Sequence, residues 1–146
     1  MRIYLDVCCL NRPFDDHSQD RVRIESEAVL TILSRGQSEK WIFIGSEVIE
    51  VEISKISDDD KRQKVNILYH LLKSHIVVDS GVEKRAIELE NLGFESFDAL
   101  HIACAEKGNA NVLLTTDDKF LSNAFLRGDV LTVRVENPLR WIMEVI

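Results

Sequence analysis

Residues 97–105, Phe-Asp-Ala-Leu-His-Ile-Ala-Cys-Ala, constrain the fold more than any other stretch of this chain. Only Asp98 and His101 among them are polar, so a helix drawn through them is apolar almost all round. Such a helix must be covered all round, which places it inside the protein. Gly108 marks its end. Val112-Leu113-Leu114 follows, a short apolar run that reads as a buried strand, and then Thr115-Thr116-Asp117-Asp118. A buried helix leading directly into a buried strand belongs to a parallel α/β layer. Open sheets of that kind collect their ligands at the carboxyl ends of the strands. Asp117 stands at such an end, and Asp98 stands in the first helical turn with no Lys or Arg one turn away. Two acids delivered by buried elements call for a counter-charge, and a metal ion supplies one.

The rest of the chain fits the same layer. Apolar and β-branched runs predict strands over 3–5, 41–44, 75–79 and 131–135, in addition to 112–114. Helical periodicity predicts helices over 20–33, ended by Gly36, and over 82–92, ended by Gly93. Ser46 reads as the N-cap of a helix over 46–56, and Ser57-Asp58-Asp59-Asp60 opens another that carries Val65, Leu68 and Leu72. Residues 11–16 read as a Pro-broken loop, 118–125 as a short helix, and Asn137-Pro138 as the start of a last one with Trp141. Strands alternating with helices predict a three-layer α/β/α sandwich around a central, mostly parallel sheet of about five strands. With 146 residues and no repeat or linker, the expectation is one domain over 1–146.

Charge and cysteine usage bound the partners. The net charge is −7, from 18 basic and 25 acidic side chains, a poor balance for non-specific binding of nucleic acid. A metal and a local basic patch would offset that repulsion. No apolar run approaches the roughly 20 residues of a membrane span. Met1-Arg2-Ile3-Tyr4-Leu5-Asp6 enters a strand pattern at once, unlike a signal peptide. Cys8, Cys9 and Cys104 show no Cys-x-x-Cys spacing and read as small core residues of a cytoplasmic protein.

Two further acids share the oddity of Asp98 and Asp117. Val48, Ile49, Ile53 and Ile56 define the inner face of the helix after the second strand, and Glu52 lies within that face. Glu47 and Glu50 project on the other side and read as solvated. A buried, unpaired carboxylate costs several kcal/mol, on the order of the effective penalty for any ion, so Glu52 needs a cation: Arg2, Lys55 or a metal. Asp6 closes the first strand. Phosphatases of the haloacid-dehalogenase type want a second Asp two residues on, where this chain has Cys8, and receiver domains want an acidic pair and a later Lys that are missing here. For Asp117 and Asp118, one of the two is expected to cap the following helix.

In this order the residues resemble a family. A strand ending in Asp6 is followed by Ser46-x5-Glu52 on a helix, then Asp98-Ala99-x-x-Ile102-Ala103-x-Ala105. Last comes a strand running into Leu114-Thr115-x-Asp117-x-x-Phe120. The pattern resembles the PIN domain, the nuclease domain of VapC-type, toxin-like ribonucleases, over nearly the whole chain. The resemblance implies catalytic acids at Asp6, Glu52, Asp98 and Asp117, with Thr115 beside them and Asp118 as a supplementary metal ligand. Cys8 stands where the family often has Ser or Asn, which touches only a secondary polar contact. The segment Cys8-Cys9-Leu10-Asn11-Arg12-Pro13-Phe14 looks like a subgroup feature.

The implied activity is metal-dependent hydrolysis of RNA phosphodiester bonds, with Mg2+ or Mn2+ on carboxylate oxygens. Four acids at one cleft cannot all stay charged without cations, so raised carboxyl pKa values are expected. Arg12, Lys55 and Lys119 lie near the proposed ligands and are candidate contacts to the RNA backbone. His101 reads as a core hydrogen-bonding residue, and His17, His70 and His75 form no ligand spacing. The resemblance extends to an antitoxin partner, whose Arg or Lys would compete with the metal, and to a homodimer, placed on aliphatic stripes at 28–33 and 65–72. The contrasting reading is a PIN-like scaffold that binds RNA or protein without catalysis. A small-molecule phosphatase is a third, weakened by Cys8.

Overall fold

The computed structural model describes residues 1–72 and 74–146. Five strands form one sheet: β1 (Arg2–Leu5), β2 (Ile42–Ser46), β3 (Ser74–Ile76), β4 (Val112–Leu114) and β5 (Arg134–Glu136). Their order is β3-β2-β1-β4-β5, and every neighbouring pair is parallel. Ile3, Tyr4, Leu5, Leu113 and Leu114 are fully buried, as central strands covered on both faces must be. The sheet is the middle layer of the expected α/β/α sandwich. The chain steps outward from β1 to β2 to β3, then returns across the sheet to β4. Right-handed crossovers therefore put the β1–β2–β3 connections on one face and the return on the other.

Eight α-helices surround this sheet among the described residues: α1 (Val7–Asn11), α2 (Asp20–Ser38), α3 (Glu47–Ser54), α4 (Asp59–Tyr69), α5 (Ser80–Asn91), α6 (Ser96–Lys107), α7 (Asp118–Leu126) and α8 (Pro138–Val145). Helix α2 packs on α8 and α5 packs on α6. Ala99, His101, Ile102, Ala103, Cys104 and Ala105 of α6 are all buried, as its composition demands. None of the described helices is long and apolar enough to cross a membrane.

Two local expectations fail for identifiable reasons. The segment after Asp6 is helical: the Asp6 side chain accepts the Val7 amide and caps α1, and Arg12–Phe14 forms a 3-10 turn around Pro13. A helix of five residues is too short to show periodicity. Gly36 does not end α2, which runs two residues further; the turn out of it is made by Lys40 at φ 57°, with the Trp41 amide on the Gly36 carbonyl at 2.9 Å. Gly36 is small for packing instead, since a Cβ there would stand 2.3 Å from the Phe43 ring. Phe43 is buried and has little room to move. Gly36→Ala should lower stability by about 1–2 kcal/mol, the overpacking strain exceeding the gain in helix propensity of about 1 kcal/mol. A denaturant melt with unchanged m-value checks this, and a more stable variant would show that Phe43 yields freely.

Candidate active site

Topology alone brings the acids to one place. Strands β1 and β4 are neighbours from which the chain departs in opposite directions, so a crevice opens at their carboxyl ends. Asp6 follows β1 directly, and its amide donates to the Leu114 carbonyl at 3.0 Å. Asp117 lies three residues beyond β4 and caps α7, its carboxylate accepting the Lys119 and Phe120 amides at 2.9 and 3.1 Å. Helices that link parallel strands run back against them, so α6 begins on this side of the sheet and carries Asp98 in its first turn. Helix α3, capped by Ser46 at the end of β2, brings Glu52.

Asp6 is the floor of the site, 6% exposed. Its Oδ1 accepts the Val7 amide at 2.7 Å, and its Oδ2 accepts the Thr115 hydroxyl at 2.8 Å and the Cys8 thiol at 3.3 Å. Thr115, fully buried, thus lies directly on the Asp6 carboxylate. Cys8 departs from the core reading: it is half-buried, its Sγ accepts the Thr116 amide at 3.3 Å, and it lies 3.2 Å from Thr115 Oγ1. The thiol thus makes the polar contact that a Ser or Asn would make. Cys9 and Cys104 are core residues as expected.

His101 is the residue that sequence reasoning undervalued. It is 1% exposed; its Nδ1 meets the Tyr4 hydroxyl at 2.6 Å, and its Nε2 reaches Asp6 Oδ1 at 3.3 Å and bonds Glu52 Oε1. The side chain that meets Glu52 is therefore neither Arg2, whose Nε donates to the Gly108 carbonyl, nor Lys55, which lies over the Phe97 ring. Burial disfavours the imidazolium, but Asp6, Glu52 and Asp98 outweigh it and raise the His101 pKa. The available signal was position: His101 stands one turn from Asp98, in a stretch between Asp98 and Glu106 that is otherwise apolar.

Asp98 has no side-chain hydrogen bond or ion pair among the described residues. Burial, then the charges of Asp6 and Asp117, push its carboxyl up to about 7. The like charges and burial outweigh His101, which pulls the other way. Oxygens of Asp6 and Glu52 and a nitrogen of His101 lie within 4.8 Å of one another, a spacing one cation can span. Two carboxylates, with those of Asp98 and Asp117 within electrostatic reach, are the donors that Mg2+ and Mn2+ favour, so these residues fit a divalent ion.

Several other expected residues lie elsewhere. Asp118 faces Arg21, which forks onto it at 2.7 and 2.8 Å and also donates to the Thr116 carbonyl at 3.0 Å. It braces the loop before α7 rather than joining the acid group. Arg12 is held by Glu25 and Asp15 at 2.9 and 3.0 Å. Glu25 is itself buried and also accepts from Arg21 and Asn137, so the Arg12 segment is a clamp between α1, α2 and α8. Lys55 is exposed, and Lys119, also exposed, pairs with Glu95 at 2.6 Å. Glu50 is solvated as expected, but Glu47 is half-buried and accepts the Val78 amide at 2.7 Å, tying α3 to the end of β3. Of the stripes expected to meet in a homodimer, Ala28, Val29, Ile32, Leu33 and Val65 close the protein's own core, whereas Leu30, Ile67 and Leu71 are exposed. Apolar surface is also exposed beside β5, where Phe125 is 88% and Leu126 72% exposed.

The family model described as PIN domain matches residues 3–126. Among solved structures, the chain is similar to VapBC2 from Rickettsia felis bound to a DNA fragment from their promoter, at 19% identity and a TM-score of 0.60, covering 94% of this chain and 98% of that one. It is similar to FitAcB from Neisseria gonorrhoeae at 17% identity and a TM-score of 0.59, covering 93% and 97%. It is also similar to VapBC-1 from nontypeable Haemophilus influenzae at 11% identity and a TM-score of 0.61, covering 94% and 98%. These identities are low enough that the likeness speaks for the fold. No curated protein matches the chain in sequence.

Proposed function

The chain belongs to the PIN domain family, and from that membership we propose that it is a divalent-metal-dependent endoribonuclease. The observation that carries the proposal is the crowding of Asp6, Asp98 and Asp117 at the β1–β4 crevice, expressed in the raised Asp98 carboxyl, with Glu52 closing the group from α3. A fold does not keep such repulsion for stability, whereas a metal site requires it. Asp6 and Glu52 would hold Mg2+ or Mn2+, with Asp98 and Asp117 contributing directly or through water. The metal, when bound, would activate water for attack on the RNA phosphodiester and stabilise the leaving oxygen. Thr115 and Cys8 hydrogen-bond the Asp6 carboxylate and fix its orientation. Lys55 and Lys119, at the ends of the helical segments that carry Glu52 and follow Asp117, are the proposed backbone contacts. The same reading takes an antitoxin as the protein partner and the cytoplasm as its place of action.

The test is cleavage of single-stranded RNA by the purified chain with Mg2+ or Mn2+, beside EDTA and an Asp6→Asn control. Metal-dependent cleavage that the control abolishes supports the enzyme. RNA bound at the same concentrations but never cut, with either metal, would favour the scaffold.

A further inference from the structure

The carboxylates of Glu52 and Asp6 meet through one buried side chain, and the atoms that hold it form a closed path through the fold. The Ile49 amide donates to Ser46 Oγ at 3.2 Å. Ser46 Oγ lies 2.8 Å from the Tyr4 hydroxyl, which lies 2.6 Å from His101 Nδ1. His101 Nε2 then meets Glu52 and Asp6 Oδ1. Ser46, Tyr4 and His101 are all buried, and the Tyr4 and His101 rings stand edge to face with centroids 5.6 Å apart. Ser46 caps the same helix, α3, that carries Glu52. The path thus runs from the start of α3 through β1 and α6 back to α3.

The direction of the hydrogens follows from satisfying every buried atom. Ser46 Oγ accepts from Ile49 and can pass its own hydrogen to Tyr4; Tyr4 passes its hydrogen to Nδ1; Nε2 keeps one and gives it to the acids. Running the hydroxyls the other way puts a hydrogen on Nδ1. A bare Nε2 lone pair would then face two carboxylates, unless Nε2 is protonated as well. With the hydrogen on Nε2, every buried atom of the path is satisfied and both carboxylates receive a donor. Mg2+ and Mn2+ favour the carboxylate oxygens over an imidazole nitrogen.

We infer that His101 is a positioning residue: locked by Tyr4 and Ser46, it donates to Glu52 and Asp6 and holds the two carboxylates at the spacing a divalent ion needs, without being a ligand itself. The inference rests on the reading of these acids as a divalent-cation site. It assigns to Tyr4, three residues into the first strand, a role in metal affinity that its place in the core does not suggest. The outer partners of metal ligands commonly carry about 10–100-fold of metal affinity.

Mn2+ titration followed by electron paramagnetic resonance tests this on the full chain, with His101→Gln, His101→Leu and Tyr4→Phe beside wild type. Gln places an amide N–H near the position of Nε2 and should keep Mn2+ affinity within about threefold, whereas Leu should weaken it by about 10–100-fold. Tyr4→Phe keeps the ring and its packing, removes only the hydroxyl that orients the imidazole, and should weaken binding several-fold. Spin-echo modulation should show no nitrogen coupled to the Mn2+ of wild type. Nitrogen coupling that vanishes in His101→Gln would make His101 a ligand and overturn the inference. Wild-type affinity in the Leu and Phe variants would reduce His101 to a core residue. If His101→Leu does not fold, Tyr4→Phe decides alone. A folded wild type that binds no Mn2+ at millimolar concentration defeats the metal reading itself, and this inference with it.

Discussion

Asp98→Asn raises the melting temperature of the metal-free protein at pH 8 and flattens its dependence on pH. The Asp98 carboxyl is raised from an ordinary value of 3.8 to about 7 by burial and by Asp6 and Asp117, so ionising it works against the fold. The sign is the reverse of that for a salt-bridged Asp. Its contribution is intact below the unfolded pKa near 4, where both states hold the proton. As pH rises toward 7 only the unfolded state releases that proton, and stability falls; above 7 both states release it and the loss levels off. A shift of about three pKa units corresponds to at most about 4 kcal/mol, and water reaching the half-buried carboxyl reduces this to on the order of 2–3 kcal/mol. Asn has nearly the same shape and no charge. The variant should therefore match wild type near pH 4 and melt roughly 5–10 °C higher at pH 8 in EDTA. Wild type should recover that difference when Mn2+ is added, because the ion offsets the same repulsion, and the variant should gain much less. A variant that melts lower than wild type at pH 8, with its Mn2+ response intact, would make Asp98 a structural acid.

The parts of the molecule that were legible in the sequence are those where one physical requirement acts alone. Nothing but burial explains nine nearly apolar residues on α6, and nothing but a strand fits Val112–Leu114 between a glycine stop and two acids. The parallel sheet follows from alternation, and the place of Asp98 and Asp117 follows from the sheet. Where two requirements compete, sequence reasoning chose the commoner one. Gly36 has the look of a helix stop, but Phe43 needs its missing side chain and Lys40 makes the turn. Glu47 has the helical phase of a solvated residue, but the end of β3 offers it an unpaired amide. Arg12 looks like a free cation beside an acidic cleft, and Glu25, thirteen residues away, claims it. The aliphatic stripes of α2 and α4 divide between core and surface, Val29 and Val65 inside and Leu30 and Ile67 outside, because the area a five-strand sheet can hide is not written in any one segment. His101 is the core hydrogen-bonding residue that the sequence suggests, but its contact with the acids is not legible there, because Tyr4, Asp6 and Glu52 come from other elements and no spacing links them to it.

The three glutamates of α3 separate catalysis from support on a single helix. Glu52→Gln should reduce metal-dependent RNA cleavage by at least about 100-fold, the usual scale for losing one group that stabilises charge in the reacting centre. The Gln carbonyl can still accept from His101 Nε2, so the variant should fold as wild type does. Glu50 is exposed, with His75 Nδ1 3.7 Å away, and Glu50→Gln should leave cleavage within about threefold. Glu47→Gln keeps an acceptor for the Val78 amide, and its replacement by Ala removes it; the Ala variant should lose about 1–2 kcal/mol of stability, while its cleavage below the melting range stays near that of wild type. Cleavage rates and melts on the four variants decide the matter together. A Glu50→Gln loss as large as that of Glu52→Gln would mean that RNA, not metal, is what α3 reads. A Glu52→Gln enzyme that still cuts at the wild-type rate would move the metal to Asp6, Asp98 and Asp117 alone and leave Glu52 as the partner that keeps His101 in place.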